Sequence, residues 1–134
     1  MDLDFIDFLS TESKRNSFAP MKKINVSVNI SDARLEKNRL YLSFSHISVY
    51  EPDKSFIRLG GVAGFRGDGI ISAFSEWKKS KKISGEASEK IINILHFSSS
   101  INSVFLARVC GLTPPVAQPV AKLEKKLAIA RKKK

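Results

Sequence analysis

From Lys23 to Ser31 the chain alternates without a break: Ile24, Val26, Val28 and Ile30 are apolar, and every position between them is polar. A two-residue period of this kind predicts a strand with one buried face. In the next stretch, Leu40, Leu42 and Phe44 share one phase, whereas Ile47 and Val49 fall in the opposite one. That shift predicts a second strand with a bulge or bend between Phe44 and Ile47. The composition of "EPDKS" is that of a turn. Alternation then resumes through Ile57, Leu59, Gly61, Ala63 and Phe65. Three strands so closely spaced predict an antiparallel meander. Gly60, Gly61 and Gly64 weaken the third strand, a cost explained by sharp curvature or by close approach of another backbone.

After "GDG" the period lengthens. Ile70, Ala73, Phe74 and Trp77 follow helical spacing, with Asp68 placed to cap the first turn. A second helix is predicted from near Ser84 to about Cys110, with Ala87, Ile91, Ile94, Leu95, Ser98, Ile101, Phe105 and Val109 as its stripe. Gly111 then sits where a left-handed glycine ends a helix, and Pro114 and Pro115 forbid its continuation. At the other end, Leu3, Phe5, Ile6, Phe8 and Leu9 lie among acids and predict one or two turns of helix, too short to persist alone. Residues 121–134 predict a last short helix with Val120, Leu123 and Leu127 on one side.

The expected organisation is an acidic, aromatic N-terminal segment and linker (1–20), one α+β domain (21–120) and a basic helix or tail (121–134). Within the domain, a curved antiparallel sheet of three to four strands precedes a short and a long helix. The chain has 134 residues, 43% of them hydrophobic, enough for one core and too apolar for wholesale disorder.

Charge changes this picture at one place. The net charge is +10. Residues 122–134 hold seven basic residues against Glu124 alone, so six of the ten net positive charges lie in the tail. Lys125, Lys126, Arg131, Lys132, Lys133 and Lys134 are the candidate anion-binding residues, suited to RNA, a ribosome or an acidic surface. The tail has no aromatic for stacking on bases, so contacts there are expected to be with phosphates and sensitive to salt. A single cysteine, Cys110, excludes an internal disulfide and agrees with a reducing compartment. No apolar run approaches ~18 residues, and the acidic start does not read as a signal peptide. The expected location is cytoplasmic.

Candidate chemistry is sparse. "GGVAGFRGDG" lies between strand and helix but contains neither a phosphate-binding P-loop nor a dinucleotide fingerprint. "GFRG" matches the loop of KH modules, yet that loop joins two helices and this one leaves a strand. His46 and His96 are fifty positions apart, without Cys or carboxylate at ligand spacing. No base stands beside a nucleophile and no carboxylates pair, so no reaction, metal or cofactor is expected.

Strands, a glycine-bearing strand "LGGVAGF", a long helix and then "GLTPPVAQPV" follow one another in an order that resembles the SecB export chaperones over about residues 23–120. In that family the long helix is followed by Gly, hydrophobic, Pro, hydrophobic and Pro-Val, matched here by Gly111, Leu112, Pro114, Val116, Pro119 and Val120. The chain departs from the pattern in a proline segment about one residue shorter, three legible strands where the family has four, a mildly basic body and a basic tail.

The resemblance implies an ATP-independent holdase that keeps non-native or export-bound polypeptides in apolar grooves formed by bent strands and the proline segment. The residues it points to are Phe44, Ile47, Val49, Tyr50, Phe56, Leu112, Pro114, Pro115 and Val116. The expected partners are unfolded or nascent polypeptides and further copies of the chain in a homo-oligomer. An alternative is a small basic RNA- or ribosome-binding protein. A second alternative is an adaptor that docks on a protein partner through Phe5 and Phe8 of its N-terminal segment.

Overall fold

The computed structural model describes residues 1–115. Four strands, β1 (Asp2–Lys14), β2 (Lys23–Glu36), β3 (Arg39–Glu51) and β4 (Ser55–Arg66), precede two helices, α1 (Ile70–Ser80) and α2 (Gly85–Cys110). All neighbours are antiparallel, in the order β1-β4-β3-β2. The fold is therefore α+β, with the helices against one face of the sheet. β1 and β2 occupy opposite edges, so residues 15–22 must cross the end of the sheet to join them. β2 and β3 form a hairpin through Lys37 and Asn38, both at positive φ (50° and 60°). That backbone matches the twist of the flanking strands.

β1 replaces the N-terminal helix that spacing predicted. Two irregularities, at Leu3/Phe5 and Phe8/Ser10, break its alternation. The residues paired with the inward row of β4 are consequently Leu3, Ile6, Phe8, Thr11 and Ser13, with steps of three and two that imitate a helical stripe. Pairing with β4 supplies the ordering that these thirteen residues lack on their own. The glycines make this pairing possible. A Cβ on Gly61 would lie 2.1 Å from the Asp7 carbonyl oxygen, and one on Gly64 would lie 2.2 Å from the Phe5 ring. The close approach is thus by the chain's own first strand.

β3 shows no phase slip. Its register with β4 is regular from Leu40 to Tyr50, and the irregularity lies in β2, between Ile30 and Asp32. The inward row is Leu40, Leu42, Phe44, His46, Ser48 and Tyr50, all buried, while Tyr41, Ser43, Ser45, Ile47 and Val49 line the other face half-buried. The apparent slip arose because His46 and Ser48 are polar residues at core positions.

α1 buries Ile70, Ala73 and Trp77 as the period predicted, but its cap is Gly69 at φ 96°, without a side-chain bond, instead of Asp68. Glu76 joins the helices: its carboxylate accepts from Ser84 N (2.8 Å) and Ser84 Oγ (2.9 Å) just before α2. Those bonds hold its pKa below the usual carboxylate range.

The 26 residues of α2 span about 39 Å, close to the roughly 43 Å of a 13-residue strand. α2 runs along β3 in the same direction, with Ile91 and Leu95 packed among Leu40, Leu42 and Phe44 and with Ala107 near Tyr50 and Ile57. Its buried face changes character midway. Ile91 and Leu95 give way to His96, Ser99, Ser100, Ser103 and Ala107, whereas Phe97, Ile101, Phe105 and Val109 point outward. The predicted stripe holds in the first half and is rotated off the sheet in the second.

Leu95→Ala is expected to lower the unfolding free energy by about 2–5 kcal/mol through loss of burial and the cavity left behind. Phe105→Ala should shift it by no more than about 0.5 kcal/mol. Urea titrations followed by far-UV circular dichroism check both, and equal losses would contradict the assigned helix phase.

Candidate functional site

The C-terminal end of α2 is where separate parts of the chain converge. Gly111, at φ 68°, ends the helix, with Gly111 N–H donating to Arg108 O (3.2 Å) and Leu112 N–H to Ala107 O (2.8 Å). This is the Schellman arrangement, with Leu112 and Ala107 packed together beside Tyr50, Ile57 and Leu59. From the crossover segment, the Arg15 guanidinium donates to Gly111 O (2.6 Å) and Cys110 O (3.3 Å). A cation placed there also meets the negative end of the helix dipole. Arg15 Nε bonds Ser17 O (2.7 Å), and the same guanidinium lies 4.8 Å from the Phe18 ring centroid. The helix end therefore positions an aromatic side chain from residues 15–22.

Two further ties fix this region. The Tyr50 hydroxyl donates to Thr113 O, pinning the start of the proline segment to β3. Burial pushes the Tyr50 pKa up to about 12, so it remains a neutral donor. In the turn after β3, Asp53 accepts from Ser17 Oγ (2.7 Å) and Ser55 N–H (3.0 Å). These bonds, that of Ser17 first, lower its pKa to about 2. Asn16 adds bonds to Asp53 O (3.0 Å) and from its backbone N–H to Ser55 Oγ (2.9 Å).

Beside this scaffold α2 exposes an apolar row. Phe97 (62% exposed), Ile101 (51%), Phe105 (70%) and Val109 (83%) form a row at four-residue spacing, and Phe18 (90%) stands beside its C-terminal end. A depression of about 190 Å³ lies between β2 and the helices. Val28, Ile30, Trp77, Ile83 and Ile92 line it together with Lys81 and Lys82.

Under the middle of α2 the polar row of β3 meets the polar row of the helix. His46 Nε2 and His96 Nδ1 are 3.0 Å apart, with the rings stacked at 5.2 Å and 26°. Ser100 Oγ lies 3.5 Å from His96 Nδ1, and Ser103 Oγ donates to Ser99 O (2.8 Å). Burial, with His96 alongside, depresses the His46 pKa from 6.5 to about 4. The ring is thus neutral at pH 7. Fifty positions separate the two histidines, and neither carries a local signal for the other. Only a correct reading of β3 as one uninterrupted strand could have placed His46 inward. Among the described residues no three His, Cys, Asp or Glu side chains come together to hold a metal ion.

The residues singled out from sequence are divided between the two faces. Phe44 and Tyr50 lie in the core under α2, Phe44 edge-on to the Phe8 ring at 5.9 Å. Leu112 and Pro115 are also buried, while Pro114 is exposed. Ile47, Val49 and Phe56 form a half-buried group on the open face, with Val49 directly opposite Phe56. They therefore share no surface with Phe44 and Tyr50, because successive residues of an uninterrupted strand alternate sides. Val116 and the basic positions Lys125, Lys126, Arg131, Lys132, Lys133 and Lys134 lie outside the described residues. Phe5 and Phe8 are engaged within the protein, against Tyr41 and Phe44 respectively. Sequence reasoning missed Phe18, Phe97 and the outward roles of Phe105 and Val109. Of these, only Phe18, an aromatic in a polar linker, carried a local signal.

Arg15→Ala should unfasten the helix end without unfolding the sheet. Amide exchange at Leu112 is expected to accelerate roughly tenfold, for about 1.4 kcal/mol of lost local stability. Protection at Ile57 should stay unchanged, and hydrogen exchange resolved by NMR reads both. No protein-family model, curated protein or solved structure matches this chain.

Proposed function

We propose that the protein is an ATP-independent holdase that captures non-native or export-bound polypeptides on the apolar surface formed by α2 and Phe18. One observation carries this reading: four large apolar residues in a row on a helix that already packs its other side on the sheet. Contiguous exposed apolar surface on a folded domain marks an interaction site more often than scattered single residues do. Non-native chains expose the matching chemistry, apolar side chains without a fixed shape. The resemblance of "LGGVAGF" and "GLTPPVAQPV" to SecB-like chaperones supports the same reading. In this reading Ile47, Val49 and Phe56 offer a second, smaller contact on the open face, and the protein works in the cytoplasm, assembled with other copies of itself.

A second reading, binding of RNA or the ribosome, is favoured by the charge of residues 122–134. Salt separates the two. Capture through apolar surface persists at about 0.2 M salt, whereas phosphate contacts weaken steeply over the same range.

Fluorescence anisotropy of a labelled, permanently unfolded polypeptide at about 0.2 M salt tests the proposal. Binding is expected with the full chain and with residues 122–134 removed. Phe105→Ser/Val109→Ser should weaken it at least roughly tenfold, the equivalent of about 1.4 kcal/mol. If neither form binds, or if the double variant binds as tightly as the parent, the proposal fails.

A further inference from the structure

We propose that the buried His46–His96 pair makes the seating of the C-terminal half of α2 on the sheet responsive to pH, closed while His46 is neutral and opened when His46 takes up a proton. The inference stands independently of the capture reading, since it concerns the helix–sheet contact and not what the outer surface takes.

The geometry suits a closed pair in which His46 is neutral. At 3.0 Å one ring nitrogen donates and the other accepts. A proton added to His46 makes donors of both its ring nitrogens, and Nδ1 is buried with no partner among the described residues. A proton on each ring would leave two donors facing each other between like charges, with the rings stacked at 5.2 Å. Among the described residues, the strands beside His46 offer it no counter-charge. Val28 faces it from β2 and Leu59 from β4, both apolar. α2 contributes His96 and serine hydroxyls. Burying an uncompensated charge among such groups is costly, so the contact opens instead.

Position in the core localises the response. Before the pair, Ile91 and Leu95 hold α2 in the larger core cluster. Beyond it, the buried face is Ser99, Ser100, Ser103 and Ala107, and the helix is kept in place by Ala107 and Leu112, with half-buried Leu106 and Cys110, against Tyr50, Ile57 and Leu59 and by the Arg15 bonds at its end. Ser48 Oγ and Ser99 Oγ are buried there without partners among the described residues, which further weakens the seat. The half that follows the histidines has less apolar contact with which to resist.

The sign follows from linkage. An unfolded or opened His46 takes a proton near pH 6.5, and the closed one resists until about pH 4. Stability is therefore full above pH 6.5 and is lost as pH falls from 6.5 towards 4. From about pH 7.5 to about pH 5, the unfolding equilibrium constant of the wild type should rise roughly thirtyfold from this group.

Urea titrations of the full chain at those two pH values, beside His46→Leu/His96→Leu, test the proposal. A wild-type rise that the double variant largely lacks is expected, and an equal rise in both would overturn it. Should the variant fail to fold, two measurements on the wild type decide. In an NMR titration of the ring protons the His46 midpoint should lie far below 6.5; a midpoint near 6.5 would refute the closed pair. Hydrogen exchange at about pH 5, corrected for intrinsic rates, should show residues 97–110 losing protection before residues 40–44. Uniform loss across both would refute the localised opening.

Discussion

The architecture of this protein depends on one contact, that between the inward row of β3 and the face of α2 lying on it. β3 is a regular central strand, so every second residue from Leu40 to Tyr50 is committed to the interior, including His46 and Ser48. Polar groups at core positions must meet polar groups or remain costly. α2 answers His46 with His96 and lays Ser99, Ser100 and Ser103 on the same buried face. Once those residues face the sheet, the 3.6-residue period fixes everything else on the helix. Phe97, Ile101, Phe105 and Val109 then have nowhere to point but outward. The exposed apolar surface and the buried polar seam are two consequences of a single helix phase.

That seam divides the core. On one side Leu40, Leu42, Phe44, Phe65, Ile91 and Leu95 form the larger cluster, and on the other Tyr50, Ile57, Leu59, Ala107 and Leu112 form the smaller. The smaller side is reinforced by polar ties at its rim: Arg15 on the last carbonyls of α2, Tyr50 on Thr113, and Asp53 on the crossover segment. These ties bind the crossover, the helix end and the proline segment into one unit. An extended proline segment loses little conformational freedom when held in this way.

The strand pairing shows a similar economy of causes. Gly61 and Gly64 leave the space that the backbone of β1 and the Phe5 ring occupy, and the two irregularities in β1 face this stretch of β4. Leu3, Ile6 and Phe8 thereby reach the same core as β3, while Asp4 on the edge strand pairs with Arg39 at 2.6 Å. The acidic character of the first residues is thus spent partly on the neighbouring hairpin.

Sequence alone determined the elements whose periods are undisturbed. Ile24 to Ile30 alternate strictly, Ile70 to Trp77 keep helical spacing, and Gly111 followed by two prolines leaves no conformation but a helix end, so local sterics and solvation sufficed for β2, α1 and the boundaries of α2. What misled was any departure from period whose cause lay elsewhere in the chain. Bulges in β1 imitated a helix, and polar residues in β3 imitated a phase slip. Only tertiary structure decided that His46 meets His96, that Phe105 and Val109 face away from the sheet, and that Arg15 brings Phe18 to the helix end. Each of these depends on which face of one element lies against another, and that choice is made by the summed burial of the whole core, which no local window contains.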